Sequence, residues 1–191
     1  GYAHFVVDSN RNISYAQNSS NAPYLETDST AAENNNQNWM QSVNTDGFTT
    51  GISEHTNSNS GSSYVAWQWK ANGGTTASNT DGNITSTVQA NQDAGFSIQT
   101  LTSASSGTSN WGHGLGQKPD WWVVKITGSG GGGWWLHHKS LNSGTSSQYL
   151  GLNSTAAATN LSAFDASSST ITASADFVAN SKTMVCYAFV E

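Results

Sequence analysis

Charge is scarce in this sequence. Six Lys and Arg and twelve Asp and Glu make up 9% of the 191 residues, against about 25% in an ordinary soluble domain, so the surface is polar without being charged. The strong bases Arg11, Lys70, Lys118, Lys125, Lys139 and Lys182 stand apart, and the net charge is −6. No patch can neutralise several phosphates, which excludes nucleic acid and anionic membranes as expected partners. A single cysteine, Cys186, excludes an intrachain disulfide and a cysteine-based zinc site, leaving stability to packing and oligomerisation. No apolar run approaches the ~20 residues that span a bilayer, so membrane insertion is not expected. The opening Gly1-Tyr-Ala-His4 is neither a signal peptide nor an initiator methionine, and reads as a piece of a longer chain or a processed product.

What is abundant is Ser and Thr, 51 together, with 20 Asn. Disordered chains share that polarity but lack aromatics. Here eight Trp, six Tyr and six Phe supply large apolar groups that only packing or ligand contact uses. A folded chain of this length is one large domain or two small ones.

Self-similarity organises the chain. Tyr24-Leu-Glu-Thr-Asp-Ser-Thr-Ala-Ala32 recurs 125 residues later as Tyr149-Leu-Gly-Leu-Asn-Ser-Thr-Ala-Ala157. Ser62-Ser-Tyr-Val-Ala-Trp-Gln-Trp-Lys70 is matched 120 residues later by Lys182-Thr-Met-Val-Cys-Tyr-Ala-Phe-Val190. Upstream, His4-Phe-Val-Val-Asp8 stands opposite Trp134-Trp-Leu-His-His138, and nothing in the first copy answers to residues 84–133. The expected organisation is one and a half repeats: residues 1–70 are the C-terminal half of a first β repeat, 71–83 a linker, and 84–191 a complete second repeat.

Alternation marks the strands. Val65, Trp67 and Trp69 face one way and Tyr64, Ala66, Gln68 and Lys70 the other, the period of a sheet with one face in a core. Val185, Tyr187 and Phe189 hold the same face. Met184, Cys186, Ala188 and Val190 are also apolar, which predicts cover on both sides of that strand, with another chain as the second cover. Further strands are expected at residues 2–7, 84–88, 95–102, 121–127, 134–138 and 148–152, with turns at Asn44-Thr-Asp-Gly47 and Asn79-Thr-Asp-Gly82. Only residues 29–41 have helical length, and Asn34-Asn-Asn36 weakens that helix. Many short strands with polar turns predict an all-β chain, an antiparallel, jelly-roll-like β-sandwich.

Seven strings carry a likeness: His4-x-x-x-Asp8-Ser9-x-Arg11, Ser29-Thr-Ala-Ala-Glu33, Asp46-Gly-Phe-Thr49, Tyr64-Val-Ala-Trp-Gln-Trp-Lys-Ala-Asn-Gly73, Gly95-Phe-Ser-Ile98, Gly112-His-Gly-Leu-Gly116 and Val185-Cys-Tyr-Ala-Phe-Val-Glu191. In order and spacing the set resembles a tandem-repeat domain of unknown function found in structural proteins of marine bacteriophages, especially cyanophages, over nearly the whole chain. The resemblance implies a virion component such as a tail fibre or capsid decoration, with a β-sandwich fold, and carries over no catalytic residue. One departure is that the half-repeat beginning at His4 ordinarily follows its own first half.

Chemistry-bearing patterns are few. Gly128-Ser-Gly-Gly-Gly-Gly133 satisfies G-x-G-x-x-G, but Trp134-Trp-Leu-His-His138 reads as a strand instead of a phosphate-binding helix, so a hairpin loop is expected. His137 and His138 point to opposite faces of a strand and cannot chelate one metal together. The loop Gly112-His113-Gly-Leu-Gly116 beside Trp111 reads as a tight turn, with a ligand-facing loop as the alternative. Asp81, Asp93 and Asp120 lack EF-hand spacing for calcium. The other carboxylates form no acid and base pair, and no nucleophile elbow or H-E-x-x-H occurs. Five Asn-x-Ser/Thr sequons, at Asn12, Asn18, Asn83, Asn153 and Asn160, match chance for this composition. In Trp121-Trp122 and Trp134-Trp135 one ring of each pair must face away from the other. If Trp122 joins Val124 and Ile126 in a core, Trp121 lies outside and calls for a cover, by a second layer, a subunit or a sugar ring.

The expectation is a structural component of a phage particle, located in the virion. It is neither an enzyme nor a cofactor or metal binder, and it assembles as a homo-oligomer or with other virion proteins through sheet edges and aromatic faces. A neighbouring subunit is expected to complete the first copy by strand addition. The alternative is a lectin-like adhesin that binds host surface glycans through exposed tryptophans. A hydrolase has only generic Asp, Glu and His behind it. The candidate ligand or assembly residues are Trp111, His113, Trp121, Trp134, Trp135, His137, Met184 and Cys186.

Overall fold

The computed structural model describes residues 3–11, 22–36, 39–44, 46–53, 55–58, 61–72, 75–141, 148–178 and 180–191. Tyr2 of the first expected strand and the sequons at Asn12 and Asn18 lie outside the described residues. The chain is all-β, and its named strands pair antiparallel throughout.

The central layer is an eight-stranded sheet. It is built from β6 (Ala77–Asn79), β7 (Ser86–Asn91), β8 (Phe96–Thr102), β10 (Trp121–Ile126), β11 (Trp134–His138), β12 (Gln148–Gly151), β13 (Thr159–Asn160) and β16 (Thr183–Phe189), in the order β13-β12-β11-β10-β16-β8-β7-β6. The last strand in the chain therefore lies inside the sheet, between β10 and β8. The period of two sends Met184, Cys186 and Ala188 to one face, together with Trp122, Val124 and Ile126 of β10 and Leu101 of β8. A second layer of β9 (Ser109–Gly112), β14 (Phe164–Ala166) and β15 (Thr170–Ala173) covers that face with Trp111, Phe164, Ala166, Ile171 and Ala173, and the short helix α1 (Ala175–Val178) adds Val178. This is a β-sandwich. Each fully buried side chain of this size contributes about 1.5–3 kcal/mol of transfer free energy, which outweighs the weak local propensity of so polar a chain.

The other face of the same sheet carries Phe96, Ile98, Val123, Trp134, Val185 and Tyr187, and it is covered by Val6, Leu25 and Ala71. Both faces of β16 are thus dry, as its two-sided apolar pattern requires. The expectation that another chain covers the Met184, Cys186 and Ala188 face is corrected, because β9, β14 and β15 of this chain cover it while the N-terminal part covers the other face. There β1 (Phe5–Val6), β2 (Ala22–Glu26) and β3 (Asn34–Asn36) form a three-stranded sheet, and β4 (Met40–Asn44) and β5 (Gly47–Thr50) form a hairpin. Phe5, Tyr24, Trp39 and His55 cluster with ring centroids 4.0–6.0 Å apart. The region of helical length resolves into β3 and β4, because the Asn run pairs with β2, Tyr24 opposite Asn34, instead of coiling.

Two other expectations change. Residues 71–83, read as a linker, hold the edge strand β6, paired to β7 with Ala77 opposite Val88, and Ala71 is buried. Residues 62–70, expected as a strand with one face in a core, pair with no strand and lie exposed throughout. Alternation specifies which side a residue takes in a sheet, but among the described residues no named strand pairs with this run.

Candidate functional site

The charged groups gather where the N-terminal part meets the sheet. Asp8 Oδ1 accepts the backbone N–H of Asn10 and Arg11 at 3.0 and 3.1 Å, closing a tight turn. Its Oδ2 accepts Arg11 Nε and the Tyr187 hydroxyl, each at 2.5 Å. Arg11 Nη1 donates to Glu33 Oε2 at 2.7 Å and Nη2 to the Val6 carbonyl at 3.2 Å. Asn10 Nδ2 donates to the Thr87 carbonyl at 2.8 Å, and Ser9 Oγ to Gln89 Oε1 at 2.8 Å. Burial pushes the Tyr187 phenol well up. Burial alone would lower Arg11, but the acidic groups of Tyr187, Asp8 and Glu33 outweigh it and keep the guanidinium charged. The His4-x-x-x-Asp8-Ser9-x-Arg11 string is thus a buried clamp with its charges paired inside the chain. Such a network is costly to break.

A second anchor lies at the glycine loop. Lys125 is fully buried, and its Nζ donates to the carbonyls of Ala31 and Gly132 at 2.7 and 2.5 Å. Burial pulls its pKa down to about 8. Trp134 Nε1 donates to the Glu26 carbonyl at 2.8 Å, and Gly132 N–H to that of Thr30 at 2.9 Å. Gly131, at φ +56°, presses on the Thr30 carbonyl, where any Cβ would clash. The loop between β10 and β11 is therefore a hairpin connection that seats the Ser29-Thr-Ala-Ala strip.

Most candidate residues are used up inside the chain. Trp111, Met184 and Cys186 are buried in the sandwich core, and burial pushes the Cys186 thiol above its usual range, the opposite of an activated nucleophile. His113 is buried, with its Nδ1 accepting the Leu115 N–H at 3.2 Å and its Nε2 3.3 Å from the Ser167 carbonyl. His137 is buried against the rings of Trp122 and Phe164, with Nδ1 2.7 Å from the Gln148 carbonyl. Burial lowers the pKa of both histidines, so they are neutral packing groups. Trp134 is buried under the N-terminal part. As candidates for facing a ligand or a partner, these six are corrected by their burial.

Two tryptophans of the set stay half-exposed. Trp121 stacks on Phe189 with centroids 3.7 Å apart and planes 6° apart, while Trp122 lies in the core. Phe189 also meets Phe96 at 4.7 Å and Trp69 at 5.7 Å, so Trp121, Phe189 and Trp69 form one aromatic strip. Lys139 bridges Asp120 and Glu191 at 3.2 and 2.6 Å on the same end of the sheet. Trp135 lines a hollow of about 230 Å³ with Tyr149, Asn153, Ser154 and Thr159. In the run 62–70 that ends on this strip, Val65 is 71%, Trp67 73% and Trp69 56% exposed.

A family model described as a domain of unknown function, DUF7483, matches residues 6–191. The chain belongs to that family. The match spans the N-terminal part and the sandwich together. No curated protein and no solved structure matches.

Sequence reasoning singled out the aromatics and passed over the Asp8, Arg11, Glu33 and Tyr187 clamp and the buried Lys125. One signal was available: Arg11 is the chain's single arginine, placed in a segment otherwise poor in charge. Among the described residues no three His, Cys, Asp or Glu converge on one point.

Proposed function

We propose that this chain is a structural component of a bacteriophage particle, of the tail-fibre or capsid-decoration kind, which joins its neighbours through sheet edges and aromatic faces. The carrying observation is the exposure of three large apolar side chains in the run 62–70. Val65, Trp67 and Trp69, each more than half exposed, make an apolar surface of the sort that marks an interaction site. Support for the particle comes from the motif resemblance and from the polar, weakly charged surface. Antibodies against this chain should decorate intact purified particles of the phage that encodes it. Label found only in the soluble fraction of infected cells overturns the reading.

A second reading, a glycan-binding adhesin, draws on the hollow at Trp135, lined also by Tyr149, Asn153 and Ser154. At about 230 Å³ it suits one sugar ring and is smaller than the roughly 300–1,000 Å³ of drug-sized ligand pockets. Glycan-array binding that disappears in Trp135→Ala supports it, and silence on the array removes it.

A further inference from the structure

The receiving half of the joint between the N-terminal part and the sheet occurs twice in this chain. In β1–β2, Val6 faces Leu25 and Thr27 N–H donates to the His4 carbonyl at 3.0 Å; in β11–β12, Leu136 faces Leu150 and Leu152 N–H donates to the Trp134 carbonyl at 3.0 Å. A tight turn follows in each. Ser29 N–H reaches the Glu26 carbonyl at 3.4 Å and Ala31 N–H the Ser29 Oγ at 3.0 Å. Ser154 N–H reaches the Gly151 carbonyl at 3.0 Å and Ala156 N–H the Ser154 Oγ at 3.0 Å. The strips Ser29-Thr-Ala-Ala32 and Ser154-Thr-Ala-Ala157 are therefore alike in sequence and in backbone hydrogen bonding.

Their surroundings differ. The first strip is the seat of the β10–β11 loop: its Thr30 carbonyl accepts Gly132 N–H at 2.9 Å, its Ala31 carbonyl accepts Lys125 Nζ at 2.7 Å, and the adjoining Glu33 N–H donates to the Thr127 carbonyl at 2.9 Å. All three contacts use the backbone of the strip and its neighbour, so a second strip in the same turn offers the same groups. Ser29 and Ala32 are half-buried at this seat, whereas Ser154, Thr155, Ala156 and Ala157 are exposed, and Leu152 beside them is 48% exposed. Among the described residues no donor reaches the carbonyls of Thr155 and Ala156. The charged clamp is not repeated: at the offset of 130 (134 minus 4) that matches His4 with Trp134, His138 and Leu141 stand where Asp8 and Arg11 do.

We propose that Ser154-Thr-Ala-Ala157 is a second seat of this kind, which takes the glycine loop and buried lysine of a further repeat unit of this family, standing to the second repeat as the second stands to the first. The inference rests on reading the chain as an assembling module, and it gives that assembly a direction, from receiving strip to glycine loop. The occupant is defined by its chemistry. Consecutive glycines let a backbone N–H close on the Thr155 carbonyl, as Gly131 and Gly132 do on Thr30, where Gly131 leaves no room for a Cβ. A lysine on the strand before that loop brings an ammonium that needs a carbonyl acceptor once covered, as Lys125 has in Ala31 and Gly132. A second identical copy is a poor occupant, since its loop is seated on its own Thr30 and Ala31.

The test supplies a further unit. In a variant of the full chain, residues 72–191 are repeated after Glu191, as they otherwise follow Ala71, its counterpart at the 120-residue offset. Acetylation of lysines is followed by mass spectrometry of tryptic peptides, in which the two copies of Lys125 are told apart because one peptide begins after Lys70 and the other after Lys182. Docking slows the appended Lys125 at least about 10-fold relative to the exposed Lys70, independently of protein concentration. Ala156→Arg, a like charge on the exposed strip, restores its acetylation while the first Lys125 stays slow. An appended Lys125 that reacts as fast as Lys70 overturns the proposal. So does an appended copy whose Cys186, fully buried when folded, reacts with a thiol reagent, since that copy has found no seat. An unextended chain that sediments as a dimer and becomes a monomer in Ala156→Arg also overturns it, because identical copies would then be exchanging loops. If docking fails while antibodies still decorate particles, only the second seat is lost. If docking succeeds and particles are unlabelled, the particle reading fails and the seat stands.

Discussion

β16 and residues 63–69 carry the same alternation of large and small apolar groups, yet one is the innermost strand of the molecule and the other its barest segment. The residues do not differ enough to explain this. What differs is pairing: β8 and β10 bracket β16, whereas among the described residues no named strand forms a ladder with 63–69. A strand is a property of its neighbours as much as of its sequence.

The comparison is broken most severely by placing a charge in each segment. Ala188→Asp puts a carboxylate between two dry layers of the sheet and is expected to abolish folding at 25 °C, a cost above about 5 kcal/mol. Gln68→Asp, its counterpart, should shift stability by no more than about 0.5 kcal/mol. Urea unfolding followed by tryptophan emission compares the two; a loss of several kcal/mol from Gln68→Asp would mean that the run is covered in the isolated chain.

A second contrast concerns ion pairs. Arg11→Ala strands Asp8 in a buried site and should cost about 3–5 kcal/mol, loosening the N-terminal cover before the sandwich melts. Lys118→Ala removes a pair to Asp165 whose side chains are about half exposed and should cost less than about 1 kcal/mol. Limited proteolysis after the Arg11 change should cut residues 3–72 first; cutting inside 84–191 at the same rate would show that the clamp is not what joins the two parts.

Much of the architecture could be read in advance because burial enforces it. The two-sided apolar pattern of Met184 to Phe189 predicts an inner strand, and the Trp121-Trp122 pair predicts one ring in and one out. The assignment of faces could not be read so fully. Val185 and Tyr187 looked like the sandwich side, whereas Met184 and Cys186 take it, since both faces are apolar and composition cannot rank two dry layers. β9, β14 and β15 were missed because Ser, Thr and Asn dominate their surroundings, and their strand character comes from packing Trp111, Phe164 and Ile171 on the sheet. Of the candidate site, the half-buried Trp121 outside the sandwich core was legible. The buried clamp was not, because a few isolated charges in a sequence give no hint of which ones meet.

Acid and base separate the two sides of the sheet. His113 and His137 are buried neutral on the sandwich side, with pKa values below the ordinary 6.5. As pH falls below 6.5 the unfolded chain takes up protons that the folded chain refuses, so stability drops, by at most about 1.4 kcal/mol per pH unit for each histidine. His137→Gln should flatten that acid limb in thermal melts between pH 7 and 5; an unaltered slope would mean that other groups set it. Lys125, on the covered side, has its pKa lowered to about 8, so between pH 8 and 9 the unfolded chain again binds the extra proton and stability rises with pH. Above 9 the raised thiol of Cys186 begins to oppose this as it ionises only in the unfolded chain. Lys125→Met should remove the rise between 8 and 9; if the rise survives, the amine is not buried in solution.

The smallest expected effect on stability bears most directly on function. Trp67 is 73% exposed, so Trp67→Ser should leave the urea midpoint of the isolated chain within about 0.5 kcal/mol of the parent. At the repeat-matched position in β16, Tyr187→Ser removes a buried ring under the N-terminal part and should cost about 3–5 kcal/mol, as for a buried aromatic. The difference between the two costs measures what the two paired neighbours of β16 add to a ring in the same alternation. A cost from Trp67→Ser as large as that from Tyr187→Ser would mean that the run is covered in the isolated chain.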